Sequence, residues 1–290
     1  MEAVPSSLFL TGATGYAGRR LLDRLARLQG RVSCLSGRLE HPASYTAALV
    51  GCDTIVHLAA ATGKRPPAEH ERTNLAGTRS LIEAARKAGV RRFLHISTIA
   101  VKFRDLDHYP YARTKKLAEE AVASGGVPYT ILRPAMIFGA DAPVFLGLSK
   151  LAGMPVAPVF GDGRTPVQPI WVDDLVAAIL AILDEDDFHG HTYELGGPDV
   201  LAIGDLLGSI RRVCHGKPPR AVHLPISLVR PAVGLLEKFL FPLTPLTLGQ
   251  LMTFTEDGTA APNPLWERQR GGMKTVDEML RLISTDARHA

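Results

Sequence analysis

Cysteine is scarce: three residues in 290, Cys34, Cys52 and Cys214, with neither a CxxC pair nor the C…H spacing of a zinc site. That excludes a disulfide framework or a structural zinc, and points to a reducing, cytoplasmic compartment. An excess of charge of one sign is equally absent. Thirty-three Lys+Arg stand against 29 Asp+Glu, a net +4, and residues 1–210 carry 22 of each, so no field for nucleic acid is present. No apolar run is long enough for a spanning helix; the best, residues 224–243, is broken by Arg230, Glu237 and Lys238. The first residues are acidic and lack a signal-peptide pattern. Aromatics are only 6%, and glycine and proline follow no period, which excludes collagen-like and low-complexity classes; with 46% hydrophobic residues a large core is available.

What is present is alternation. β-rich runs at residues 7–11, 31–36, 53–60, 92–97 and 129–133 are separated by amphipathic segments at 19–29 (with Gly30 as its cap), 74–88 and 111–123, and by a short helix near 43–50. Such alternation predicts an α/β protein with a Rossmann-like, doubly wound parallel sheet covered on both faces, whose ligands bind beyond the carboxyl ends of the strands. Prolines at 143, 155, 158, 166 and 169 change the rhythm. The expectation is a dinucleotide-binding part over 1–140 and a smaller C-terminal, substrate-facing part over 141–290, interleaved with the sheet near 165–197 through one strand around 192–195.

Between the first strand and the first helix lies Thr11-Gly12-Ala13-Thr14-Gly15-Tyr16-Ala17-Gly18. Glycines there let the backbone turn tightly and approach a pyrophosphate, and the N–H groups and dipole of the following helix attract its charge. Gly12, Thr14, Gly15, Tyr16 and Gly18 are the candidate contacts; the plainer alternative is a tight turn that packs helix on strand. At the end of the second strand Ser36-Gly37-Arg38 offers an arginine and no acid before Glu40, which favours NADP over NAD, although Arg38 also reads as a solvated surface arginine.

Tyr111 and Lys115 are four apart at the start of a predicted helix, hence on one face. An ammonium beside a phenol stabilises phenolate and lowers its pKa, making Tyr111 a candidate acid or base. Such a pair is common on helix surfaces. Ser97-Thr98, at a strand end that opens on the same edge as the glycine loop, gives it a context.

The strings TGATGYAG (11–18), GCDTIVHLAA (51–60), NLAGT (74–78), RFLHIST (92–98), YARTK (111–115) and ILRPAMIFG (131–139), in this order, resemble the successive motifs of the extended and atypical short-chain dehydrogenase/reductases, the NAD-dependent epimerase/dehydratase-like proteins. The resemblance implies that Thr98 or Ser97 polarises a substrate carbonyl or hydroxyl and that Tyr111 exchanges the proton. Lys115 would bind the nicotinamide ribose and depress the tyrosine pKa; Leu58, Ala59, Ala60, Asn74 and the strand-end Arg133-Pro134 would border the dinucleotide. QPIWVDDL (168–175), YELGGP (193–198) and PLTLGQL (245–251) resemble the NAD(P)H-binding accessory subunit of respiratory complex I and its bacterial relatives.

Two departures stand out. Only about two dozen residues separate the first helix from the strand at Thr54, so the sheet is expected to be one strand short on that side, with the adenine pocket less enclosed. After Thr98, Lys102-Phe103 replaces the usual aromatic-glycine pair, and Tyr109 rivals Tyr111 but has arginine at its fourth successor. Asp173 and Asp174 read as N-caps of a helix over 175–183. His189 and His191 read as loop residues, not metal ligands. The basic run 211–220 reads as a solvated helix end and loop. The apolar stretch after it reads as a helix packed on the domain, with a membrane-surface or protein contact as the alternative.

Two functions are therefore open. One is an NAD(P)-dependent oxidoreductase or epimerase-like enzyme acting on a small carbonyl or hydroxyl compound, such as a nucleotide sugar or an isoprenoid. The other is a non-catalytic NADPH-binding accessory or sensor protein, and either way the chain would be a monomer or homodimer.

Overall fold

Along β1 (Leu8–Thr11) the side chains of Leu8 and Leu10 leave one face of the sheet and that of Phe9 the other, and this alternation sorts the two layers of the core. The computed structural model of the protein describes residues 7–28, 31–184, 189–244 and 246–289; the expected cap Gly30 and Pro245 of the tail motif lie outside them. β1 is joined by β2 (Val32–Cys34), β3 (Thr54–His57), β4 (Arg92–Ile96), β5 (Tyr129–Pro134) and β6 (His189–Leu195) in the order β2-β1-β3-β4-β5-β6, all parallel. Helices α1 (Tyr16–Arg27) and α5 (Val172–Asp184) bury Leu21, Leu25, Leu175 and Ile179 against Leu8, Leu10, Val56 and Leu94. On the opposite face α2 (Gly77–Lys87) and α3 (Pro110–Ala123) contribute Leu81, Ile82 and Val122 to a layer with Phe9, Ile55 and Phe93.

Among the described residues no strand flanks β2 on its outer side, as the short interval implies. In its place residues 42–49 form two 3₁₀ turns, Pro42–Ser44 and Thr46–Leu49, where a short helix was expected. Tyr45 breaks the helical run at φ −136°, and its ring is buried 6.3 Å from that of Phe9 while its hydroxyl donates to Leu39 O at 3.2 Å. Burying that ring competes with continuing the helix, and packing wins.

A second core closes the C-terminal part. Phe145 and Leu148 of α4 (Pro143–Gly153), Leu206 and Ile210 of α6 (Ile203–His215), and Met279 and Leu280 of α8 (Val276–His289) meet Phe138 and Trp171 there. Four expectations are corrected in this region. α5 begins at Val172, so Asp173 and Asp174 occupy its first turn and do not cap it; Asp173 accepts from Trp171 Nε1 at 3.0 Å and Asp174 from Lys274 N at 2.8 Å. His189 and His191 stand on β6, not in a loop. Arg211 is buried, its guanidinium donating to Ala152 O, Pro155 O and Pro218 O at 2.6–2.8 Å, so the basic run is anchored at its start. The apolar stretch after that run forms α7 (Ile226–Leu240), and none of its residues is buried. Among the described residues no helix is long and apolar enough to cross a membrane, no group of His, Cys, Asp and Glu could hold a metal, and all three cysteines are free.

Candidate active site

The glycine loop is shaped by steric demands that admit nothing larger. Gly12 has φ +75°, and a Cβ on it would lie 2.6 Å from Ala59 N and 2.7 Å from the carbonyl carbon of Leu58; a Cβ on Gly18 would lie 2.0 Å from Gly12 O. The loop therefore nests against Leu58-Ala59 at the end of β3 while α1 packs on the loop. Gly15, the N-cap of α1, provides no side-chain acceptor, and the first turn carries no acid, so the helix's first N–H groups face outward unclaimed. Tyr16 reaches away from the loop to the second core. A Cβ at Gly139 would fall 1.6 Å from its hydroxyl, which is buried without a partner, and burial pushes the phenol up to about 12.

Behind the loop runs a chain of side chains that sequence reasoning did not single out. Thr11 Oγ1 donates to His57 Nδ1 at 2.7 Å and accepts from Ala59 N at 3.2 Å; His57 Nε2 donates to Thr78 Oγ1 at 2.9 Å, which in turn donates to Asn74 O at 2.7 Å. These roles fix the Nε2–H tautomer. Burial holds His57 neutral, its pKa pushed down to about 3. Asn74 is wholly engaged: Oδ1 accepts from Ala61 N at 2.7 Å, and Nδ2 donates to Ala61 O at 3.0 Å and to Thr114 Oγ1 at 3.2 Å. It joins the loop after β3 to α3, the helix that carries Tyr111.

Ser97, Thr98, Tyr111 and Lys115 come together at the carboxyl end of β4. Ser97 is buried, and its hydroxyl has no partner. Thr98 caps the 3₁₀ turn Ile99–Lys102, accepting from Ala100 N at 3.3 Å, and its hydroxyl lies near enough to the Tyr111 phenol to act on its pKa. The expected depression of the phenol is corrected: burial pushes Tyr111 up to about 12, with the Thr98 hydroxyl pulling the other way. The reason is the direction of the lysine. Lys115 is 2% exposed and its Nζ donates to Ile96 O at 2.7 Å and to His95 Nε2 at 3.1 Å. Burial lowers the ammonium from 10.5 to about 7, Glu119 opposing. His95, in register with His57 on the next strand, is held neutral by burial and by Lys115. The rings of Tyr109 and His70 flank Tyr111 at 5.8 and 6.0 Å. Tyr109 itself is a packing residue, stacked on Phe103 and pressed on Gly249, where a Cβ would come within 2.2 Å of its ring.

At the margins, the Arg133 guanidinium is held by Glu119 (2.6 and 3.0 Å) and Glu194 (3.6 Å), and Pro134 beside it is buried. Arg38 is exposed after β2, and Glu40, the first acid beyond it, is bound to Arg72 and Thr73. Thr14 is exposed at the loop tip, and Ala60 is half-buried. A cradle that a Cβ would fill, unclaimed helix N–H groups above it and the orphaned Ser97 hydroxyl nearby are the features a pyrophosphate-bearing cofactor would require, so the residues present fit a nicotinamide dinucleotide.

This arrangement defines a Rossmann-like α/β protein whose site fits a nicotinamide dinucleotide. The chain belongs to the NAD dependent epimerase/dehydratase family, which matches residues 8–196. It is 27% identical to the mitochondrial NADH dehydrogenase [ubiquinone] 1 alpha subcomplex subunit 9 of Arabidopsis thaliana, over 88% of this chain and 71% of that one. It is 34% identical to the 4-hydroxy-2-methyl-3-oxo-4-farnesyl-3,4-dihydroquinoline-1-oxide ketoreductase of Stigmatella aurantiaca, over 48% of this chain. With the ceramide reductase of Caulobacter vibrioides the identity is 31%, over 59% of this chain. The chain spans 52% and 59% of the length of these two reductases. Among solved structures, MoeE5 in complex with UDP-glucuronic acid and NAD superposes with a TM-score of 0.75 at 20% identity, covering 98% of this chain and all of that one. RMD from Pseudomonas aeruginosa, complexed with NADPH, gives 0.69 at 20% identity, over 98% of this chain and 100% of that one.

Proposed function

We propose that the protein is an NADP-linked carbonyl reductase of a lipophilic substrate, with Tyr111 as proton donor. The observation that carries this reading is the position of the phenol: Tyr111 is half-buried at the carboxyl end of β4 between the rings of Tyr109 and His70, beside Thr98, and carries at neutral pH a proton that it can give. The dinucleotide, when bound, supplies the hydride that adds to the carbonyl carbon. Tyr111 Oη gives its proton to the carbonyl oxygen, and Thr98 Oγ1 shares the developing negative charge there. Lys115 Nζ, held by Ile96 O and His95 Nε2 at the strand end, is the ammonium that would turn to the cofactor's ribose. Gly12, Thr14, Gly15, Tyr16 and Gly18 hold the pyrophosphate through backbone; Arg38 takes the 2′-phosphate while Glu40 is kept away by Arg72; Leu58, Ala59, Ala60, Asn74, Arg133 and Pro134 line or brace the remainder. The ketoreductase and ceramide reductase support the substrate class, one being named for a farnesyl-bearing 3-oxo compound and the other for ceramide.

A second reading, a dinucleotide-binding accessory protein without turnover, is supported by the 88% of the chain aligned with the plant NADH dehydrogenase subunit and by the missing strand beside β2. The test is NADPH oxidation by the purified chain against long-chain ketones and 3-oxo-sphingoid compounds, with Tyr111→Phe as control. Turnover abolished in the variant supports the reductase; NADPH binding without turnover of any of these supports the accessory protein. Failure to bind either dinucleotide refutes both.

A further inference from the structure

Helix α7 carries more apolar surface than its own domain covers: Ile226, Val229 and Val233 are half-buried on the domain side, and a second apolar face is left outward. Leu228, Leu235 and Phe239, at spacings of seven and four, share one face and are 69%, 63% and 68% exposed. The polar side chains that approach the domain are those of the opposite face: Arg230 donates to Asp105 Oδ2 at 2.6 Å, and Glu237 accepts from Leu248 N at 2.7 Å. Leu236 and Leu240, 40% and 46% exposed, widen the apolar stripe. The domain covers only Ile226, Val229 and Val233, with Arg230 and Glu237 fastening that side, and leaves the apolar stripe exposed.

We infer that this face is a docking surface for an anionic lipid bilayer, with α7 lying in the plane of the headgroups. Charge selects this occupant. Of the six Lys and Arg in residues 206–255, Arg211 is buried and Arg230 is paired with Asp105, which leaves Arg212, Lys217, Arg220 and Lys238; the one acid there, Glu237, is turned inward on Leu248 N. Arg212, Lys217 and Arg220 are exposed just before the helix, and Lys238 rides beside Phe239, its Nζ 5.4 Å from the ring centroid. An apolar centre with a basic margin is what headgroups of negative charge over an acyl layer recognise. With 15 residues the helix is too short to cross, so it can only lie flat.

The position of α7 gives the surface a use. Asp105, which grips Arg230, precedes Tyr111 by six residues, and Lys64 of the loop after β3 donates to Pro242 O and Thr244 O, just beyond the helix, at 2.9 and 2.6 Å. The helix is thus fastened to both loops that frame the candidate active site, and the bilayer would lie at its mouth. The docking surface stands whatever reaction that site performs.

The test is co-flotation of the full chain with phosphatidylcholine vesicles, with and without phosphatidylglycerol, alongside the triple variant Leu228→Ser, Leu235→Ser, Phe239→Ser. The wild type is expected to float with the anionic vesicles, and the variant to partition about tenfold less or lower; high salt should weaken the wild type as well. As these side chains are exposed, the melting temperature should barely move. Independently of that variant, brominated lipid should quench the emission added by Phe239→Trp. Wild type that stays with the soluble fraction, or a variant that floats equally well, overturns the proposal. So does a dimer in sedimentation velocity that the variant dissolves while neither form floats, since the face is then a contact between copies.

Discussion

Replacing Lys115 by methionine should change the sign of its effect on stability across the alkaline range. The ammonium falls from 10.5 to about 7 on folding, so below pH 7 the folded chain must carry a charge that burial opposes. At about 1.4 kcal/mol per pH unit, that costs up to roughly 5 kcal/mol there. Between pH 7 and 10.5 the unfolded chain binds a proton that the folded chain has released, so raising the pH favours the folded wild type by as much as ~1.4 kcal/mol per unit. Methionine fills the volume without the charge but deprives Ile96 O and His95 Nε2 of their donor, a loss of about 1–3 kcal/mol. At about pH 6 Lys115→Met should therefore be the more stable form by a few kcal/mol, and near pH 10 the wild type should match or exceed it. Urea unfolding of both proteins at several pH values measures the difference, in which groups common to both cancel. A difference that stays constant with pH would refute the reasoning, because the lysine would then be charged alike in both states.

Four further outcomes follow from the geometry. Tyr111→Phe should lower kcat about 10²–10⁴-fold while leaving NADPH affinity and the melting temperature nearly unchanged, as steady-state kinetics and a thermal melt would show. Gly18→Ala places a methyl group 2.0 Å from Gly12 O, so fluorescence titration should find dinucleotide affinity down about tenfold or more, with a stability loss of about 1–3 kcal/mol. Arg38→Ala should weaken NADPH about tenfold and leave NADH unaffected; equal losses would remove the arginine from the 2′-phosphate. Asn74→Ala leaves Ala61 N and O and the Thr114 hydroxyl short of partners, and should cost about 1–3 kcal/mol in chemical denaturation while raising KM more than it lowers kcat.

The middle of the sheet was legible because its strands carry short apolar runs, Leu8-Phe9-Leu10, Ile55-Val56, Phe93-Leu94 and Ile131-Leu132, and because the glycine loop occurs where a strand-to-helix turn can use it. The missing strand was legible by counting residues. The inward histidines were not. His57 and His95 sit in the strings VHLAA and FLHIST, and the available signal was that both fall near the ends of neighbouring parallel strands, where in-register partners touch. The direction of Lys115 was hidden too, since helical spacing puts it on the face of Tyr111 but does not say which acceptor wins; Ile96 O, fixed at the strand end, does. For α7 the hydrophobic pattern marked a helix with an apolar side, and only the Arg230 and Glu237 contacts decide that this side faces out.

The brevity of β2 has a consequence for how copies of this protein behave in a crowded solution. With no strand beyond it, β2 exposes the outer backbone of a sheet edge, on which a strand from another molecule could add. Three residues offer too few hydrogen bonds to recruit one, and the exposed arginines at 31 and 38 bracket the strand with like charge. The truncation that opens the adenine side thus also blunts the edge it creates. Lengthening β2 to enclose the adenine side, or removing both arginines, would restore a template for self-association, with Cys34 exposed on it as a ready covalent link.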